Sequence, residues 1–405
     1  MSIFREIPPT AGLPLYLNDV LSLFMPAKRP LEADFKEFLG ANFVKVTYSG
    51  TAAFYLILEG LKEISSRKTV IIPAYICPLV PLAIKRAGLK VEICDINKNN
   101  FNFSLDALEE LCNSNEDILA VVPTHLAGIP LEFTALEKIC REKNIFIIED
   151  CAQSLGAEYQ GRKAGTLGDF SFFSLCRGKG LTIYEGGVIV INKKEYIPAV
   201  EHAFSRLVKK DIFSEAVKII EIFGYWIFYR PLLFWFIFRL PQLFWNLQGN
   251  QNRANIEYFE INFPLHEVSG FRKKIAQSGI SRLGREIAAQ KEKARYYIEN
   301  LKNISGLTVV DEPAAGKAAF PFVTLIFSEA RQKEMALKIF NHSGFGVSQI
   351  YELPITGYDY LKAMLPDKQF PNAAYLAERA ITLSTSTFLS KKGQDTVLSI
   401  MKKIV

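Results

Sequence analysis

The 405-residue chain is 49% hydrophobic, so it can bury a large core, and we expect more than one structural lobe. Its net charge is only +6, and the basic residues lack the clustering with aromatic residues that is typical of nucleic-acid-binding proteins; we therefore expect no nucleic-acid partner. The six cysteines form no CxxC pair, which predicts reduced thiols and no metal site. The first residues lack a long apolar run, which predicts a cytoplasmic protein.

The first 48 residues predict an arm followed by a helix. Gly50 and Thr51 then open an apolar segment with helical periodicity, which continues to Leu61. The unpaired N–H groups and the positive dipole at a helix N-terminus suit a phosphate. The simpler alternative is that Ser49 or Thr51 only caps the helix.

A run of alternating strands and helices follows. β-Branched runs at 70–72, 91–96, 118–122 and 145–148 are separated by helical stretches at 78–87, 104–113 and 131–143. This alternation predicts βαβ units, a mainly parallel sheet and a three-layer α/β/α large domain. Because parallel strands end at the same edge of a sheet, the residues after Pro73 and Pro123, together with Asp150, should line one edge.

The segment 145–187 contains the main candidates for chemistry. Asp150 ends an apolar strand, and Lys179 follows a second, aromatic-rich strand. An acid and a lysine at adjacent strand ends suggest a cofactor site. Each residue alone has a simpler explanation: Asp150 could cap a helix or bind a metal, and Lys179 could lie in a solvated loop. Arg177 and Lys163 are close enough in the sequence to compete with Lys179 for the basic role.

Several ordered motifs resemble the DegT/StrS family of sugar aminotransferases, which are pyridoxal-phosphate-dependent enzymes of fold type I. The likeness is carried by Ser49–Ala53, Pro73–Tyr75, Val122–Gly128, Glu149-Asp150-x-Ala152-Gln153, Gly168-Asp169, Phe173-Ser174, Lys179 and Glu185-Gly186-Gly187. It implies an α/β large domain, a smaller α+β C-terminal domain and a homodimer.

The same resemblance implies roles for individual residues. Lys179 would form the covalent bond to the cofactor and move a proton, and Asp150 would hold the protonated pyridine nitrogen. Gly50, Thr51, Ala52 and Ser174 would bind the phosphate, and Gln153 would contact the ring or its 3-hydroxyl.

Three further residues are candidates at this site. Family members often carry a ring-stacking aromatic residue a few positions after the proline that corresponds to Pro73; Cys77 occupies that place here, which leaves Tyr75 as the candidate. His125 is either a substrate contact or a near-core histidine, and Tyr351 is a candidate on the substrate side.

The segment 212–250 departs most from the family pattern, because it is apolar and contains all three tryptophans. Pro231 and Pro241 interrupt its apolar run, and the longest uncharged stretches between residues 219 and 245 are eight residues, at 222–229 and 231–238, whereas spanning a bilayer takes ~20. We expect either a patch at the membrane interface through residues 219–245 or a hydrophobic dimer contact, and we favour the membrane. The protein would then lie peripherally on the inner face of the cytoplasmic membrane.

The sequence thus predicts a large domain with its arm at 1–211, a hydrophobic insert at 212–250, and a linking helix with a small domain at 251–405. In the small domain we expect strands at 319–327 and 345–351. The expected activity is transfer of an amino group from glutamate to a keto-sugar on a nucleotide or lipid, in surface polysaccharide or glycolipid synthesis. The alternatives are a membrane-associated, non-catalytic scaffold of the same fold, or a pyridoxal-phosphate-dependent sugar dehydratase, in which the resemblance implies histidine in place of Lys179.

Overall fold

The structure is a computed structural model that describes residues 5–8, 12–26, 29–247, 259–341 and 343–405. The described helices are α1 (Leu17–Leu21), α2 (Leu31–Leu39), α3 (Gly50–Ile64), α4 (Leu79–Arg86), α5 (Leu105–Ser114), α6 (Phe133–Glu142), α7 (Ile197–Leu207), α8 (Ile212–Phe228), α9 (Pro231–Leu247), α10 (Gly270–Ile280), α11 (Leu283–Leu301), α12 (Ala330–Phe340), α13 (Pro371–Arg379) and α14 (Lys391–Ile404). The strands are β1 (Phe43–Thr47), β2 (Thr69–Pro73), β3 (Lys90–Cys94), β4 (Ile118–Val121), β5 (Phe146–Asp150), β6 (Glu158–Tyr159), β7 (Arg162–Lys163), β8 (Phe170–Ser174), β9 (Gly187–Ile191), β10 (Leu307–Val310), β11 (Gly316–Lys317), β12 (Phe322–Phe327) and β13 (Ala380–Ser384).

The main sheet has seven strands in the order β1-β9-β8-β5-β4-β2-β3. All neighbouring pairs from β3 to β8 are parallel, and β9 runs antiparallel to both β8 and β1. Successive residues of β2 face opposite layers: Val70 and Ile72 join one buried cluster, whereas Ile71 joins another with Leu108 of α5 and Leu136 of α6. The predicted mainly parallel α/β/α architecture is therefore confirmed.

A second, antiparallel sheet has the order β10-β12-β13 and belongs to the C-terminal part of the chain. The prediction of a strand over residues 345–351 was wrong in its length. Within this range only Ser348 pairs with the sheet, through a single bridge to Thr382 of β13. Gly344 and Gly346 adopt φ values of 74° and 69°, and this left-handed conformation is incompatible with an extended strand.

Helices α8 and α9 form a helical hairpin within the segment 212–250. Pro231 begins α9, but Pro241 lies inside it, so the prediction that both prolines interrupt the apolar run was wrong at Pro241. A helix can continue through a proline at the cost of one backbone hydrogen bond. Residues 248–250 of this segment, and its predicted boundary with the next, lie outside the described residues, and the three-segment division of the chain stays a prediction.

One side of the helical hairpin packs on the large domain. Ile222, Tyr225 and Phe234 are buried in the same cluster as Leu15 and Ile183. This packing on the chain's own core was not among the arrangements that the sequence predicted. Among the described residues, no helix is both long and apolar enough to span a lipid bilayer.

The hairpin is also fixed by ion pairs. Glu215 of α8 pairs with Arg272, whose side chain is fully buried, and Lys218 lies 2.9 Å from Glu185 in the turn before β9. The helical hairpin is therefore joined to the chain segments that surround Lys179.

Candidate active site at the carboxyl edge of the main sheet

A cavity of about 160 Å³ lies where β4, β5 and β8 end; we call it the edge cavity. It brings together eight of the ten predicted site residues, all except Tyr75 and Ala52. Its lining is Gly50, Thr51, Phe54, Cys77, Leu79, Val80, Thr124, His125, Leu126, Asp150, Ala152, Gln153, Phe172, Ser174, Cys176, Lys179 and Tyr351.

Asp150 is the last residue of β5 and is buried. Its carboxylate accepts a hydrogen bond of 2.9 Å from the N–H of Ala152. Burial raises the pKa of Asp150 to about 6, while the Ala152 N–H and the positive charge of Lys179 act in the opposite direction. A positively charged group in the cavity would favour the ionised carboxylate, so the residue fits a protonated pyridine nitrogen.

Lys179 lies in the turn that leads from β8 towards β9. Its N–H donates to the Cys176 carbonyl at 3.2 Å, and its own carbonyl accepts from Leu13 N–H at 3.3 Å. The backbone is thus held while the side chain lines the edge cavity. The two other basic candidates do not line it: Arg177 is exposed and donates to the Tyr184 hydroxyl, and Lys163 pairs with Glu158.

The N-terminus of α3 forms one wall of the edge cavity. The Ser49 hydroxyl accepts a hydrogen bond from Ala52 N–H at 3.1 Å, so Ser49 is the cap and the Ala52 N–H is already used. In the described part of the chain, the N–H groups of Gly50 and Thr51 have no partner. A side chain at Gly50 would place its Cβ 3.1 Å from the Cβ of Ser174, so glycine keeps this end of the helix open for a phosphate.

Gln153 and His125 have fixed orientations. The Gln153 side-chain oxygen accepts from Ala127 N–H at 2.9 Å, which leaves its NH₂ group as the end available to a ligand. His125 Nδ1 accepts from Leu131 N–H at 3.1 Å, so Nε2 carries the hydrogen and donates to Glu149 at 2.9 Å. Both ring nitrogens of His125 are therefore used within the protein, and the ring contributes shape to the wall.

Tyr75 lies behind the wall of the edge cavity. Its hydroxyl donates to the Tyr351 carbonyl at 3.0 Å and accepts from Tyr351 N–H at 3.1 Å, so it holds Tyr351, which does line the cavity. Cys77 is also in the wall, and burial raises the pKa of its thiol to about 11, which keeps it neutral.

Sequence reasoning missed the aromatic floor of the cavity, Phe54 and Phe172, whose ring centroids are 4.9 Å apart. The sequence spacing could have identified both residues, because Phe54 lies one helical turn after Gly50 and Thr51, and Phe172 lies on the same face of β8 as Ser174.

Comparisons with known proteins identify the family of the chain. Residues 18–213 and 248–402 match the sequence profile of the DegT/DnrJ/EryC1/StrS aminotransferase family. The chain belongs to this family. The match omits residues 214–247, which form nearly all of the helical hairpin. Pyridoxal phosphate is the cofactor, as the resemblance implied.

Individual relatives are distant but extend over the whole chain. The chain is 28% identical to a UDP-4-amino-4,6-dideoxy-N-acetyl-beta-L-altrosamine transaminase of Campylobacter jejuni, over 91% of this chain and 88% of that one. Its fold is similar to PseC of Helicobacter pylori, an aminotransferase of pseudoaminic acid biosynthesis, with a TM-score of 0.77, 18% identity and 99% of both chains covered. It is also similar to the putative sugar aminotransferase Spr1654 of Streptococcus pneumoniae in its PLP form, with a TM-score of 0.73, 19% identity and 98% of both chains covered.

Proposed function

We propose that this aminotransferase moves an amino group from glutamate to a keto-sugar carried on a nucleotide or a lipid, for surface polysaccharide or glycolipid synthesis. The main support for the proposal is that Lys179, the buried Asp150 and the open N-terminus of α3 line the same cavity. An amine, an acid and a phosphate cradle are the three groups that this chemistry requires.

Each residue has a defined task in the proposed reaction. When bound, pyridoxal phosphate supplies the electron sink that stabilises negative charge on the substrate carbon bearing the amino group. Asp150 would keep the pyridine nitrogen positively charged, and the N–H groups of Gly50 and Thr51 would hold the phosphate. The Lys179 amine would take up the proton of the substrate carbon and release it again within the edge cavity, first with glutamate and then, in reverse, with the keto-sugar.

The nature of the acceptor is supported by the relatives. The Campylobacter jejuni relative is named as a transaminase of a UDP-linked amino sugar, which supports an amino sugar as the product and leaves the choice between a nucleotide and a lipid carrier open for this chain. A dehydratase is disfavoured because Lys179 occupies the position where the resemblance implies histidine for that branch. A non-catalytic scaffold would not need a lysine in this cavity.

We also propose that the protein is a homodimer that lies peripherally on a membrane. The dimer follows from the family resemblance, since fold type I sites are built at a subunit boundary. The membrane contact is supported by the outer side of the helical hairpin, where large apolar residues are exposed, and by the exposed Lys209 and Lys210 just before α8. The exposed apolar residues outside the cavities are Ile212, Phe213, Val217, Ile220, Ile227, Leu232, Leu233, Phe236, Leu240 and Phe244.

A two-stage assay tests the activity. The purified protein, loaded with pyridoxal phosphate, is given glutamate and a keto-sugar linked either to UDP or to a lipid phosphate, and 2-oxoglutarate and the amino sugar are followed by mass spectrometry. Both products should form, and neither should form with Lys179→Ala. If the cofactor binds through Lys179 but the sugar loses water instead of gaining nitrogen, the dehydratase alternative replaces the aminotransferase.

A further inference from the structure

A second cavity, of about 480 Å³, lies between the helical hairpin and the turn that carries Lys179; we call it the aromatic cleft. Its volume falls within the range of roughly 300–1,000 Å³ that is usual for ligand sites. Among the residues that line it, Tyr225 and Tyr229 stack with ring centroids 4.3 Å apart, and Phe234 and Phe238 stack at 5.1 Å.

The aromatic cleft and the edge cavity share a wall. The turn from Cys176 to Lys179 contributes Cys176 and Lys179 to the edge cavity, and Arg177 and Gly178 to the aromatic cleft. Gly12 packs tightly between this turn and the hairpin, because a Cβ added to it would meet the Gly178 Cα at 2.6 Å and the Tyr229 hydroxyl at 2.7 Å. The two cavities therefore lie on opposite sides of one turn.

The lining of the aromatic cleft favours a hydrocarbon chain over a nucleotide. Its polar lining groups are Arg177, the hydroxyls of Tyr184, Tyr225 and Tyr229, and Glu221, which lies 2.8 Å from Lys218. No amide, serine or threonine side chain is among the described residues that line it. A nucleobase would need such groups to replace its hydrogen bonds with water. Apolar and aromatic walls instead stabilise a chain that leaves water.

One cation completes the site. Arg177 lies at the cleft, and among the described residues it has no carboxylate partner; its guanidinium donates only to the Tyr184 hydroxyl at 3.0 Å. An exposed guanidinium next to an apolar channel suits a phosphate attached to a hydrocarbon chain.

We propose that the aromatic cleft binds the hydrocarbon chain of a lipid phosphate that carries the sugar, with Arg177 on the phosphate. This proposal rests on the proposed function and chooses, of its two carriers, the lipid. The same two helices that form the cleft also expose Ile220 and Phe236, so apolar side chains suited to a bilayer lie on the helices that wall the cleft.

Gly224 offers a direct test. It lies inside α8 and lines the aromatic cleft, and a Cβ at this position would meet nothing within 4 Å, so Gly224→Phe adds bulk to the cleft wall from an open position. Gly284, also inside a helix and also without a neighbour within 4 Å of its Cβ position, lies outside the cleft lining, and Gly284→Phe is the matched control. Both changes replace a helical glycine, so neither should weaken its helix.

The measurement is equilibrium dialysis of the cofactor-loaded protein with radiolabelled geranylgeranyl phosphate below its micelle concentration, with inorganic phosphate as a second probe. We expect binding to weaken by at least about tenfold in Gly224→Phe, since excluding two methylene groups is enough for that loss, and to be unchanged in Gly284→Phe. Arg177→Gln should weaken binding of geranylgeranyl phosphate but not of geranylgeraniol.

Two results would overturn the proposal. The first is binding of geranylgeranyl phosphate that is no tighter than that of inorganic phosphate, or that is equal in Gly224→Phe and the wild type. The second is a lower molecular mass of Gly224→Phe in light scattering, which would show that a second copy of the chain fills the cleft. The Lys179-dependent cofactor spectrum, recorded on the same samples, reports separately whether the proposed function itself holds.

Discussion

The carboxylate of Asp150 accepts a 2.9 Å hydrogen bond from the N–H of Ala152, two residues further along the chain. This one backbone donor does not offset the burial of the charge, because the pKa of Asp150 is still raised from 3.8 to about 6. In the cofactor-free protein, the ionised carboxylate is therefore a source of instability that the bound cofactor relieves.

Asp150→Asn should make the cofactor-free protein more stable at pH 8. The folded-state pKa lies above the unfolded one, so ionisation costs stability; the cost is full above pH 6 and fades as the pH falls towards 3.8. The shift corresponds to about 3 kcal/mol at most. Denaturant unfolding at pH 8 and pH 4.5 measures it, and the gain should be clearly smaller at pH 4.5. In the cofactor-loaded enzyme the same change should strongly slow transamination, because the pyridine nitrogen loses its partner.

Asp169→Asn is the matched control for Asp150. Its carboxylate is equally buried, but it is paired with Arg141 at 2.8 Å and Lys193 at 2.9 Å. Loss of these ion pairs should destabilise the protein at pH 8. If Asp150→Asn destabilises the cofactor-free protein to the same degree, the buried carboxylate is not the source of instability described above.

A second prediction concerns the anchor of the helical hairpin. Glu215→Ala leaves the buried guanidinium of Arg272 without its carboxylate, which should cost about 3–5 kcal/mol in the free energy of unfolding. Burial opposes ionisation of Glu215, but the hydrogen bonds and charge of Arg272 outweigh it and lower the pKa. The pair therefore stabilises the protein at neutral pH, and this contribution is lost as the pH falls through the lowered pKa.

Denaturant unfolding of Glu215→Ala should be compared with Asp359→Ala. Asp359 forms an exposed ion pair with Lys362, and its removal should have little effect on the free energy of unfolding, because solvent screens the pair. Equal effects of the two substitutions would mean that the Glu215–Arg272 pair does not anchor the hairpin.

A third prediction tests the membrane contact. Ile220 and Phe236 are 71% and 48% exposed on the helical hairpin, and the double change to glutamate should abolish flotation with vesicles that contain anionic lipid, because two charges would have to enter the interface. Met335 and Ile339 are similarly exposed on α12, and the double change to glutamate there should leave flotation intact. Wild-type protein that does not float would remove the membrane contact altogether.

The main sheet could be predicted from the sequence because its signals are local. Apolar β-branched runs such as Val70–Ile72 mark buried strands, and a charged residue directly after a run, as at Asp150, marks the edge where strands end. The position of Lys179 followed from its spacing to Ser174, which the family resemblance supplied.

The remainder depends on contacts between distant parts of the chain. Tyr75 lies beyond the end of β2, where strand alternation no longer fixes the direction of a side chain, and its partner Tyr351 is 276 residues away. Tyr225 is buried through contact with residues that are far from it in the sequence, such as Leu15 and Ile183. Neither arrangement leaves a periodic signal in the sequence.

The most direct test of the account is the visible absorption spectrum of the purified protein with pyridoxal phosphate, before and after glutamate, for the wild type, Lys179→Ala and the nearby control Lys163→Ala. We predict a band of the lysine-bound cofactor in the wild type and Lys163→Ala that converts to the spectrum of the amine form when glutamate is added. Lys179→Ala should lack the band. A band that persists in Lys179→Ala, or a wild-type band that does not respond to glutamate, would contradict the assignment of Lys179 and of the first half-reaction.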